Sequence, residues 1–111
     1  MQSHAAVAAY GLGREITDAV LADWRTAPIE DGLRATLSYL EKLTLRPDEV
    51  GPADSAAVRA AGVSNEALED AIHVCALFNA IDRIADALDF HVPAREDAER
   101  AAPRFFARGY R

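Results

Sequence analysis

The chain has little sulfur, little aromatic surface and almost no lysine. Cys75 is the single cysteine among 111 residues, so no intrachain disulfide forms, and its place in an apolar stretch suits a reduced, cytoplasmic setting. Aromatic residues make up only 7% of the chain, whereas half of it is hydrophobic and alanine is abundant, a mixture that favours close-packed helices over a β-sandwich. No apolar run approaches the ~20 residues needed to span a bilayer. The opening MQSHAAVAAYGLG lacks a basic start and a cleavage site, so a signal peptide is not expected. Lys42 is the only lysine, and the formal net charge of -6 argues against nucleic acid or an anionic membrane as the main partner. There is no metal-ligand cluster, glycine-rich phosphate loop or Ser/His/Asp spacing, and no cofactor is expected.

Apolar helix is what the sequence has most of. Its longest stretch runs from Ser64 to Phe90, with Ser64 as N-cap, Glu66 and Glu69 in or beside the first turn, and no Pro or Gly inside. Leu68, Ile72, Cys75 and Asn79 fall along one line, Ala71, Val74 and Phe78 along another, and Leu77, Ile81, Ile84 and Leu88 along a third. No charged residue stands between Ala71 and Ile81, which predicts a central helix wrapped by neighbours on most sides. Ile72, Leu77 and Ile81 are expected to be covered in the full assembly.

Around this hub the sequence predicts about five helices in a single all-α domain. An alanine-rich helix from Met1 to Tyr10 is stopped by Gly11 and Gly13, and a second covers Arg14 to Trp24. A third, from about Glu30 to Leu45, turns Leu33, Leu37, Leu40 and Thr44 inward, with Leu43 beside them, and Glu30, Asp31, Arg34, Glu41 and Lys42 outward. A short helix from about Ala53 to Ala61 closes at Gly62 in the left-handed position, with Val63 packing back. Residues 1–93 form the helical domain. Residues 94–111 form an arginine and aromatic tail, whose five arginines against three acids leave about +2 on the tail and -8 on the body. That opposition points to a tail docked on its own body or on a neighbouring subunit, with fraying as the alternative, and Pro103 is expected to interrupt any helix there.

Three groups carry possible chemistry. The helix, Gly-Val-Ser and helix order of residues 54–72 has the cadence of a DNA-binding helix-turn-helix, but Glu66, Glu69 and Asp70 stand where a recognition helix would approach phosphates. His73 and Cys75 are two residues apart and point to different helix faces, so they do not form a nucleophile and base pair, and Cys75 reads as a small core residue. Asn79, Asp82, Arg83 and Asp86 form a polar seam in which Arg83 is expected to bridge an acid and the amide in a subunit or helix interface, with small-molecule substrate binding as the alternative.

LRATLSYLEKLTLRPDEV and RAAGVSNEALEDAIHVCALFNAIDRIADAL resemble the C-terminal half of the peroxidase-related branch of the carboxymuconolactone decarboxylase and AhpD-like alkylhydroperoxidase superfamily, over about residues 1–92. The resemblance implies a compact all-helical subunit that assembles into a homo-oligomer. The family's redox motif is Cys-x-x-Cys, three residues and a His, with an acid upstream. His4 fits the motif's His, and the second Cys would fall just before Met1, so the chain looks like a member begun partway through the motif helix. Without the cysteine pair, sulfenic acid chemistry has no resolving thiol within the chain. The expectation is a non-catalytic homo-oligomeric assembly or binding domain. The alternative is an enzyme, either a thiol-dependent hydroperoxidase or antioxidant using Cys75 or a decarboxylase-like lyase using His4 as acid and base.

Overall fold

The computed structural model describes residues 2–109, and nothing of the side chain of Gln2. Six α-helices and one 3-10 turn make up their regular structure: α1 (Gln2–Leu12), α2 (Arg14–Asp23), α3 (Asp31–Leu45), the turn Pro47–Glu49, α4 (Pro52–Ala60), α5 (Asn65–Ala87) and α6 (Arg95–Arg108). The described chain is all-α. Among its residues no helix is long and apolar enough to cross a membrane. Two compact units emerge, one from the described parts of Met1–Pro28 and Phe90–Arg111, the other from Ile29–Asp89.

The first unit holds α1, α2 and α6. Gly13, with φ at +97°, separates α1 from α2 and donates its N–H to the Ala9 carbonyl at 3.1 Å. Its own carbonyl accepts from both the N–H and the hydroxyl of buried Thr17. One positive-φ residue thus ends one helix and begins the next, which an L side chain adopts only with strain. Gly11, expected to stop α1, lies inside it. A Cβ there would run into Cε2 of Phe106, so this glycine makes room for the aromatic ring of α6. Tyr10 meets the same ring edge to face at 5.5 Å between centroids.

Helix α6 corrects two expectations, the count of about five helices and the break at Pro103. The helix continues through Pro103, although that residue donates no hydrogen bond and its ring crowds the preceding turn. Ala98 and Ala102 are buried, and their small side chains let α6 approach the alanine-rich α1 closely. Tertiary packing outweighs the local break. The segment set apart as a tail is therefore a docked helix of the first unit.

In the second unit, α3 packs on α4 and α5. The α4–α5 corner forms as the sequence predicts: Gly62 has φ +90°, the Val63 N–H reaches the Val58 carbonyl at 3.4 Å, and the Ser64 hydroxyl accepts from the Ala67 N–H at 3.1 Å. Gly32 at the start of α3 lies against that corner, where a Cβ would meet Val63 Cγ2 at 3.2 Å. Val58 and Leu68 are the buried apolar anchors. The inner face of α3 differs from the expected one. Leu33 and Thr44 are exposed, Thr36 is buried with its hydroxyl donating to the Gly32 carbonyl, and Lys42 is half-buried against α4.

The largest correction concerns α5. Within its own unit it is not wrapped: Leu68 alone among its residues is buried, Ile72 is half-buried, and Leu77 and Ile81 are exposed. One side of the uncharged middle, at Val74, Leu77 and Ile81, therefore meets solvent, while Ile72, Cys75 and Asn79 lie towards α3. Amphipathic periodicity identifies an apolar helix, but it does not say which molecule covers each face.

Candidate functional site

Cys75 projects from α5 towards α3 into a cleft of about 230 Å³ lined by Leu43, Thr44, Ile72, Ala76, Asn79 and Arg83. The thiol is half-buried. Thr44 Oγ1 lies 3.5 Å from Sγ and Asn79 Nδ2 lies 3.4 Å from it, so two neutral polar groups converge on the sulfur. One helical turn separates each further link. Asn79 Nδ2 donates to the Cys75 carbonyl at 3.0 Å, and Arg83 Nη1 donates to the Asn79 carbonyl at 2.9 Å and approaches its Oδ1 at 3.4 Å. Arg83 therefore reaches the amide half of the expected bridge, and Cys75 is more accessible than a core residue.

Arg83 orients the Asn79 amide beside the sulfur by holding its oxygen. The cleft lining supplies neither imidazole nor carboxylate, so proton removal from Sγ falls to solvent or to a substrate. A peroxide could be attacked here, but resolution would require a thiol from another molecule. His73 is exposed on α5. His4 is exposed on α1 and belongs to the other compact unit from Cys75.

Two polar clusters escape the sequence analysis. Lys42 Nζ donates to both oxygens of Asp54 at 2.8 and 2.9 Å, while the Gly51 N–H donates to Asp54 Oδ2 at 2.8 Å. The hydrogen bond from Lys42, joined by that from Gly51, holds the Asp54 carboxyl below the usual aspartate range. This pair lines a cleft of about 340 Å³ beside Ser38 and Tyr39. Its signal in the sequence is Asp54 three residues after Gly51, where a carboxylate caps a helix that starts at Pro52. In the first unit, Arg95 Nε at 2.9 Å and Arg14 Nη2 at 3.1 Å share one oxygen of Glu99. Arg95, then Arg14, holds the Glu99 carboxyl below the ordinary glutamate range, and Glu99 raises Arg95 in turn.

Among the described residues no group of three or more His, Cys, Asp or Glu is placed to hold a metal ion. Compared with models of known protein families the chain matches none, and compared with curated proteins it finds no match.

Proposed function

We propose that this chain is a self-associating helical module of the AhpD-like kind, working by assembly or binding rather than by redox turnover. One observation carries the reading: α5 and its C-cap residue Leu88 present Val74, Leu77, Ile81, Ile84 and Leu88, each between 47% and 70% exposed, in a row the rest of their own unit leaves uncovered. Monomeric proteins rarely leave so continuous an apolar row open to water. The residues that resemble the AhpD-like pattern include this helix.

Light scattering at micromolar concentration tests the reading, with more than one chain per particle as the expected result. Ile81→Asp should reduce the particle to a single folded chain, because a charge on the row is stranded in any apolar contact while the side chain contributes little to its own fold. A stable monomer before substitution overturns it.

A second reading, thiol-dependent peroxide reduction, is favoured by the cleft at Cys75. There Sγ attacks the peroxide O–O bond, forming a sulfenic acid and releasing an alcohol or water. An external thiol then condenses with the sulfenic acid, releasing water, and a second thiol restores Cys75 while leaving as the disulfide. Peroxide consumption with a thiol donor separates the readings. Assembly alone expects the same background rate with the unsubstituted chain and with Cys75→Ser, whereas thiol chemistry expects the rate to fall in the variant.

A further inference from the structure

From Leu77 to Leu88 the apolar row reads the same in both directions. Between Leu77 and Leu88 the sequence LFNAIDRIADAL places Leu77, Ile81, Ile84 and Leu88 at intervals of four, three and four residues, so all four share one helix face. Reversing the helix exchanges Leu77 with Leu88 and Ile81 with Ile84. Ala80, just before Ile81, then exchanges with Ala85, just after Ile84. A two-fold axis normal to the helix and passing between Asp82 and Arg83 therefore maps the row onto itself in identity as well as spacing.

Resting on the proposal that the chain self-associates, we infer that the partner on this row is the α5 helix of a second copy, packed antiparallel about that axis. An isologous contact requires one patch that complements itself, and a palindromic row meets that requirement directly. Leu77 of each copy packs beside Leu88 of the partner subunit, and Ile81 beside Ile84 of the partner subunit. Charge supports the same occupant. The row and its alanine flanks are neutral, and Arg83 is turned away to the Asn79 carbonyl beside the Cys75 cleft. A partner helix with charged flanks would strand those charges against alanine, whereas a second α5 brings a neutral row to a neutral row.

Orientation follows from what lies beyond the row. Continued towards the N-terminus, the same three and four spacing passes Val74 and reaches exposed Asp70. A parallel pair in register sets Asp70 against Asp70 of the partner subunit, and like charges at a seam destabilise it. The antiparallel pair places the two aspartates at opposite ends of the contact.

Disulfide trapping in a Cys75→Ser background tests the arrangement, using Leu77→Cys chains and isotope-labelled Leu88→Cys chains that are first mixed to exchange and then mildly oxidised. Leu77 and Leu88 are 11 residues apart in sequence, or roughly 16 Å along a helix, beyond the ~7 Å Cα separation that a disulfide tolerates. The expected product is the mixed disulfide, in roughly tenfold or greater excess over either symmetrical one. Light scattering of the same samples before oxidation reports association independently of trapping. An associated protein that yields mainly symmetrical disulfides, or none, overturns the antiparallel seam while leaving self-association standing. A monomer overturns both.

Discussion

The amine of Lys42 bonds both oxygens of Asp54 at 2.8 and 2.9 Å, tying the C-terminal half of α3 to the first turn of α4. The same carboxylate accepts the Gly51 N–H, so one acid caps its own helix and clamps a neighbouring one. The sole lysine of the chain is spent on this link.

Acidification should weaken this link. Asp54 has a folded pKa below its ordinary 3.8, so its stabilisation is fully present above that value and is lost as pH falls through the lower, folded one. Asp54→Asn should melt at a lower temperature than the unsubstituted chain at pH 7. The gap between their melting temperatures should narrow as the pH is taken below the ordinary aspartate value. Thermal melts followed by circular dichroism across that range check the sign, and a constant gap would count against it.

Gly11 and Phe106 should show energetic coupling. An alanine inside α1 gains up to about 1 kcal/mol of helix propensity over glycine. Its Cβ, however, displaces the Phe106 ring and with it the edge contact to Tyr10, of the kind worth about 0.5–1.5 kcal/mol. Gly11→Ala is therefore expected to be neutral or destabilising with Phe106 present and stabilising in a Phe106→Ala chain. A double-mutant cycle by urea denaturation should give a coupling energy of about 1 kcal/mol.

Pro103 is exposed in the interior of α6, so replacing it removes a backbone penalty without uncovering a cavity. Pro103→Ala should restore the N–H that the helix lacks at that turn and stabilise the first unit by about 1–3 kcal/mol, net of the freedom alanine returns to the unfolded chain. Urea denaturation measures the gain, and no increase in midpoint would mean that the helix is already distorted at Pro103.

Local features were the legible ones. Ser64 as N-cap, Gly62 as left-handed terminator and Val63 packing back all depend on groups within a few residues of each other, and side-chain type alone selects them. Gly11 and Pro103 misled for the opposite reason. Each looks like a breaker by itself, and each is absorbed by helix packing between α1 and α6, which lie far apart in sequence. Cys75 was legible as a residue and not as a site, since its neighbour Thr44 comes from α3 and only the approach of α3 to α5 makes the cleft.

The sequence by itself determined an all-helical chain, the ends of its best-capped helices and the lack of a second cysteine, because backbone propensity, capping and composition act within a few residues. Only tertiary structure decided that α6 docks on α1, that Lys42 turns inward to Asp54, and that the second unit leaves the apolar row of α5 open. Hydrophobic periodicity records that a face avoids water, and packing between distant segments determines which faces the chain itself covers.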